Sequence, residues 1–296
     1  MRAGNDEELG LPVMTAVPKI DIFHVGPQKS ATTWIYECLQ EHPEVCCPPK
    51  DTVHYYDMLY ARGPAWYAQA FAAAQPGQKL FDPTPSYLRS PWAARRMAKD
   101  SPDAKIIMCL RNPIERAFSH YWHEKKKRII GYEFADTLRN YDLFQNYLEP
   151  GFYAEHIERF QQYFPKESLL IQQFDRLQAD PRGFLDELLA FCGLSEDFEP
   201  SILHRKRNAA SPAQTPLRRI IGEATDKGVQ ALPGKLSQRL QKTAAYRMLS
   251  GRREYLEGVP APLFSELLEI CEPEIARLEA LLDIDLDKWR RNPSSL

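Results

Sequence analysis

Residues 19–34 decide the fold: Lys19-Ile20-Asp21-Ile22-Phe23-His24-Val25-Gly26-Pro27-Gln28-Lys29-Ser30-Ala31-Thr32-Thr33-Trp34. The first seven are a short apolar run that stops at Gly26. From Ser30 to Glu41 the apolar positions Ala31, Trp34, Ile35, Cys38 and Leu39 recur at helical spacing. A strand, a tight loop and a helix are predicted. Such a junction gathers backbone N–H groups, the hydroxyls of Ser30, Thr32 and Thr33 and the Lys29 ammonium at one point, which suits an anion. A nucleotide-hydrolase loop requires G-x-x-x-x-G-K-[ST], whereas Lys29 follows Gly26 by three positions with no second glycine. That spacing argues against an ordinary ATPase or kinase.

Outward from this unit the same alternation recurs. Residues 79–81 read as a short strand and 91–99 as a helix. Residues 104–110 (AKIIMCL) form the clearest buried strand, followed by Arg111-Asn112 and a helix that Pro113 can start. Residues 153–164 are amphipathic, with His156, Glu158, Arg159 and Gln161 read as outward and Ile157, Phe160 and Tyr163 as inward. A strand at 168–174 and a helix at 181–191 after Asp180 complete the pattern. The expected fold is α/β, a mostly parallel sheet with helices on both faces. Residues 263–282 predict a long amphipathic helix on the outside of that sheet. Residues 1–18 read as a flexible leader, residues 19–296 as a single domain, and 208–262 as its loop-rich part.

With 296 residues, 44% of them hydrophobic and 26% charged, the chain can bury a full-sized core. A formal net charge of −2 leaves no global basic field, which excludes a general nucleic-acid binder and requires any anion site to be built locally. No run approaches the roughly 20 apolar residues that cross a bilayer, and the polar, acidic start lacks the pattern of an export signal. A cytoplasmic protein without a membrane span is expected. The six cysteines have neither the density of a disulfide scaffold nor the C-x-x-C spacing of a zinc site, so reduced, buried thiols are expected.

The loop resembles the 5′-phosphosulfate loop of the sulfotransferases that use 3′-phosphoadenosine 5′-phosphosulfate (PAPS). It is most similar to the branch of the heparan sulfate N- and O-sulfotransferases and their bacterial relatives. Their pattern, close to G-x-x-K-x-G-T-T plus a bulky apolar residue, is matched by Gly26, Lys29, Thr32, Thr33 and Trp34, while Ala31 stands where glycine is usual. The resemblance implies a P-loop-like sulfotransferase fold, with PAPS as donor and adenosine 3′,5′-bisphosphate as product. It implies nucleotide contacts from Pro27, Gln28, Lys29, Ser30, Ala31, Thr32, Thr33 and Trp34, and a catalytic Lys29 that neutralises the bridging oxygen. The stretch from Arg111 to Tyr121 is similar to the family's R-x-P-x-x-R-A-x-S, which gives Arg111 and Ser119 the 3′-phosphate. Arg116, on the same helix, reads equally as a solvated or ion-paired arginine and as a cofactor contact.

A general base is still needed. Relatives carry a K-E-x-H-F-F-like stretch whose glutamate is the base, and Lys50-Asp51-Thr52-Val53-His54-Tyr55-Tyr56 is similar to it in two registers. Aligning the lysines puts Asp51 on the glutamate, whereas aligning the histidines puts Thr52 there. Asp51 is the expected base, and His54 is the rival, a type suited to proton transfer near neutrality. His123, four residues past Ser119 and so on the same helical face, stands where N-sulfotransferase-like relatives have an acceptor-site histidine. The stretch from Phe81 to Tyr87 resembles the family's E-K-S-x-x-Y, with Pro83 replacing the lysine, which argues against a glycosaminoglycan acceptor. His204 to Asn208 is a basic cluster placed where relatives close a loop over the nucleotide. The implied partner is a carbohydrate or small-molecule acceptor, and the chemistry requires no metal. A nucleotide kinase or hydrolase and a non-catalytic binding module are the rival readings.

Overall fold

The computed structural model describes residues 17–127, 130–203 and 258–292. The expected leader up to residue 16, the basic cluster at 204–208 and the loop-rich segment up to residue 257 lie outside the described residues. Internal contacts group the chain into two compact units. One runs up to Leu110 and resumes over His156–Ile202; the other holds Arg111–Glu155 and the described residues from Leu203 on.

The first unit is built on a five-stranded parallel sheet of order β2-β3-β1-β4-β5. Its strands are β1 (Ile22–Gly26), β2 (Val45–Cys46), β3 (Lys79–Asp82), β4 (Lys105–Leu110) and β5 (Leu169–Gln173). β1 is central, with all five residues buried, and pairs with β3 through Ile22↔Phe81 and with β4 through Phe23↔Ile106. A strand flanked on both sides and covered on both faces must be apolar throughout, which is why 22–26 and 106–110 lack polar alternation. The register shifts between His24 and Gly26, just before the loop. β2 has only two residues and no periodicity to read; its pairing with β3 (Val45↔Lys79) defines it.

The helices of this unit are α1 (Thr32–Glu41), α2 (Pro64–Gln69), α3 (Ala93–Asp100), α7 (Phe174–Ala179) and α8 (Pro181–Cys192). α8 starts where expected because the Asp180 side chain accepts from the Gly183 N–H at 2.9 Å, a cap worth about 1 kcal/mol. α6 (Tyr153–Gln161) corrects one sequence expectation: His156 is buried and Tyr163, beyond the helix, is 41% exposed. The apolar face follows Tyr153, Ile157, Phe160 and Phe164, and His156 falls inside that stripe at helical spacing.

In the second unit lie α4 (Pro113–Lys127), α5 (Tyr141–Tyr147) and α9 (Ala261–Leu282), which packs against α4 and begins two residues before the expected start. Phe264, Leu267, Cys271, Ile275 and Leu278 form its buried stripe. None of the six cysteines is in a disulfide. Burial raises the pKa of both Cys46 and Cys47, the latter to about 12, which disfavours the thiolate form in the vicinal pair. Among the described residues no helix is long and apolar enough to cross a membrane, and no His, Cys, Asp and Glu cluster could hold a metal ion.

Candidate active site

The loop from Gly26 to Ala31 leaves the carboxyl end of the central strand, where parallel α/β sheets bind ligands. Gly26 has φ 117, and a Cβ there would sit 2.1 Å from the Pro85 carbonyl oxygen, so only glycine fits between β1 and the chain after β3. Lys29 and Ala31 both take left-handed backbone, φ 69 and φ 64. A left-handed non-glycine residue costs about 1–2 kcal/mol. The glycine usual at position 31 in the resembling pattern thus has a geometric reason, and Ala31 is a strained replacement.

Ala31 is the N-cap of α1 and supplies no side-chain cap; no acidic residue occupies the first turn. The N–H groups of that turn therefore keep their positive end of the helix dipole uncompensated by side chains. Ser30 Oγ and Thr32 Oγ1 are buried at the same place and have no hydrogen-bond partner among the described residues. A buried unsatisfied hydroxyl costs roughly 1–3 kcal/mol, so this arrangement fits an oxyanion that would satisfy both. Pro27 is buried, Gln28 and Lys29 are half-buried, and Thr33 is exposed. Trp34 packs edge-on against Phe184 of α8, with centroids 5.8 Å apart, and thereby anchors the helix behind the loop.

Beside the loop lies a second group of residues, tied together by the buried Asp82 at the end of β3. Its Oδ2 accepts from the hydroxyls of Tyr67 (2.7 Å) and Tyr87 (2.9 Å), and its Oδ1 from the Thr84 hydroxyl (2.6 Å) and N–H (3.1 Å). Burial raises the Asp82 pKa despite these bonds. Thr84 Oγ1 in turn accepts from the N–H groups of Val53 (2.9 Å) and His54 (3.3 Å). The chain is fastened to the central strand by the Leu88 N–H to the Val25 carbonyl, 2.9 Å. His54 is half-buried at φ 61, and its Nδ1 lies 3.0 Å from Ser86 Oγ and 3.4 Å from Asp57 Oδ2. Asp51 is exposed on the preceding loop. Tyr67 and Tyr87 are fully buried core.

In the second unit, Arg111 directly follows β4 in the chain and is half-buried. Its Nε and Nη2 donate to Glu115 Oε2 at 3.3 and 3.1 Å, and Tyr153 donates its hydroxyl to the Arg111 carbonyl at 2.7 Å. Asn112 Oδ1 accepts from the N–H groups of Ile114 (2.9 Å) and Glu115 (3.3 Å) and so caps α4. Ser119 and His123 both lie on α4, one turn apart and half-buried. Arg116 is not solvated: it is 0% exposed and donates Nη2 to the Tyr147 carbonyl.

The structure thus groups Lys29, Ser30, Thr32 and His54 in the first unit and Arg111, Ser119 and His123 in the second. Sequence reasoning missed Asp57, Ser86, Asp82 and Glu115. For Asp57 and Glu115 a signal existed, an acid three residues after His54 and another four after Arg111.

Residues 19–213 match the family described as "Sulfotransferase domain". Heparan sulfate glucosamine 3-O-sulfotransferase 6 of Homo sapiens is 30% identical over 244 residues, 79% of this chain and 70% of the relative. Bifunctional heparan sulfate N-deacetylase/N-sulfotransferase 4 of Mus musculus is 31% identical over 196 residues, 60% of this chain and 22% of that protein. Among solved structures, a sulfotransferase from Alicyclobacillus acidocaldarius shares the fold with TM-score 0.67 at 23% identity, over 93% of this chain and 100% of its own.

Proposed function

From the premise that this chain belongs to the sulfotransferase domain family and is a sulfotransferase, we propose that it takes the sulfuryl group of PAPS to a hydroxyl or amine of a carbohydrate or small-molecule acceptor. The observation that carries the donor is the anion cradle at α1, where an N-terminus without a side-chain cap meets the buried hydroxyls of Ser30 and Thr32, which have no partner among the described residues. These residues fit a 5′-phosphosulfate. When bound, the donor supplies a sulfuryl group already activated on phosphate. Ser30, Thr32 and the first-turn N–H groups hold its oxygens, and Lys29 stabilises the charge that develops on the bridging oxygen. Arg111 and Ser119 are assigned the 3′-phosphate, with Glu115 holding the guanidinium fork in place.

His54 is proposed as the general base. Two partners hold its ring in place, and it lies next to the chain that abuts Gly26, whereas Asp51 stands exposed. The acceptor O–H or N–H gives its proton to His54 as the acceptor–sulfur bond forms. The sulfur–oxygen bond to the 5′-phosphate breaks, and its electron pair leaves with adenosine 3′,5′-bisphosphate. His123 is proposed to orient the acceptor. Carbohydrate is the favoured acceptor class because the relatives named above act on heparan sulfate. Pro83 supplies no cation where the resembling pattern has lysine, so a less densely anionic sugar is favoured over heparan sulfate itself.

Labelled PAPS offered with a panel of sugars, amines, phenols and lipid alcohols tests this reading. Label is expected in a carbohydrate hydroxyl or amine. Nucleotide binding without transfer to any acceptor would instead indicate a binding module, and ATP binding without adenosine 3′,5′-bisphosphate binding a kinase or hydrolase.

A further inference from the structure

The cluster of His54, Asp57 and Ser86 settles its own protons. Ser86 Oγ lies 2.5 Å from Asp57 Oδ2 and 3.0 Å from His54 Nδ1. An ionised carboxylate only accepts, so the single Ser86 proton goes to Asp57, and Ser86 Oγ can meet Nδ1 only as an acceptor. Asp57 Oδ2, 3.4 Å from the same nitrogen, likewise only accepts. Nδ1 must then carry hydrogen, and in the neutral ring Nε2 keeps the lone pair. Burial works against the charge on Asp57, but hydrogen bonds from His54, Ser86 and the Met58 N–H outweigh it and hold the carboxyl below its ordinary value. The backbone is fixed as well: the His54 N–H is held by Thr84 Oγ1 at 3.3 Å, and the His54 carbonyl accepts from the Leu59 N–H at 2.8 Å.

We infer that Ser86 and Asp57 are positioning residues that lock His54 in the Nδ1–H form and so leave Nε2 as the atom that takes the acceptor's proton. This rests on the reading of His54 as the base. The proton moves from the acceptor oxygen or nitrogen to Nε2, giving an imidazolium whose Nδ1–H remains paired with Ser86 and Asp57. No further reactant is required.

The test uses the full chain labelled with 15N-histidine, with the His54 ring signals assigned by their loss in His54→Gln. Wild type is expected to show protonated Nδ1 and unprotonated Nε2 in the neutral ring, an Asp57→Ala, Ser86→Ala double variant a mixture of the two tautomers, and Ser86→Thr the wild-type pattern. In transfer assays Ser86→Ala should lower kcat roughly tenfold, a fraction of what a general base supplies, with affinity for adenosine 3′,5′-bisphosphate unchanged, and Ser86→Thr should restore it. An Nε2–H ring in wild type, or an unchanged tautomer in the Asp57→Ala, Ser86→Ala double variant, overturns the inference. Undiminished transfer by His54→Gln would overturn it from the other side by removing His54 from the reaction. The two failures are distinguishable, because the ring signals report the tautomer without turnover.

Discussion

The loop after β1 and the segment after β3 lie against each other, yet they are specified in opposite ways. From Gly26 to Thr32 the determinants are local: one glycine at φ 117, two left-handed residues and a helix start without a side-chain cap. From Asp82 to Ser86 they are distant: a buried carboxylate gathers Tyr67, Thr84 and Tyr87, while Thr84 holds the N–H groups of Val53 and His54, and Ser86 meets His54 and Asp57, some thirty positions earlier. Backbone geometry makes the proposed donor site, and a network of side chains makes the proposed acceptor side. Substitutions in the loop should therefore alter nucleotide handling with little loss of fold, and substitutions around Asp82 should do the reverse.

The largest expected effect is on rate. Lys29→Ala should lower kcat by roughly 100-fold or more, about 3 kcal/mol of transition-state stabilisation, while affinity for adenosine 3′,5′-bisphosphate changes little. Asp82→Ala should break the other region: four donated hydrogen bonds lose their acceptor, and a denaturant midpoint should report a loss of about 3 kcal/mol. Arg111→Ala, in the second unit, should weaken nucleotide binding by about 2 kcal/mol, read by calorimetry, with a smaller change in kcat. Equal effects of the Lys29 and Arg111 variants on both parameters would contradict that division of labour.

Smaller changes sharpen the contrast. Ala31→Gly relieves a left-handed alanine and should stabilise the chain by about 1 kcal/mol, visible as a raised Tm. The two acids of the second region should respond to pH with opposite sign. Asp57 is held below its ordinary value of 3.8, so its contribution is present above that pH and lost as pH falls through the lower folded value. Asp82 is raised, so its contribution is complete below 3.8 and lost as pH rises through the higher folded value. Denaturation of Asp57→Asn and Asp82→Asn between pH 2 and 7 should remove these slopes separately.

The same contrast explains what could be read in advance. Strand β1, the loop, β4 and the cap at Asp180 were legible because each depends on a run of neighbours in the chain. His54 was legible as a candidate, but its partnership with Ser86 spans 32 positions and exists only because β3 is paired beside β1. His156 was misplaced because polarity was taken as a sign of exposure, whereas helical spacing from Tyr153 puts it in the apolar stripe. Arg116 was ambiguous for a similar reason: a guanidinium reads as surface until a backbone carbonyl, here that of Tyr147, is found to receive it.

The donor site is tested most directly by calorimetric titration of adenosine 3′,5′-bisphosphate into the wild-type chain and into a Ser30→Ala, Thr32→Val double variant. Wild type should bind it in preference to ATP, and the double variant should bind it at least roughly tenfold more weakly, as expected for two lost hydrogen bonds to a charged group. Equal affinity in the two proteins, or a wild type that prefers ATP, would contradict the assignment of this loop to the donor.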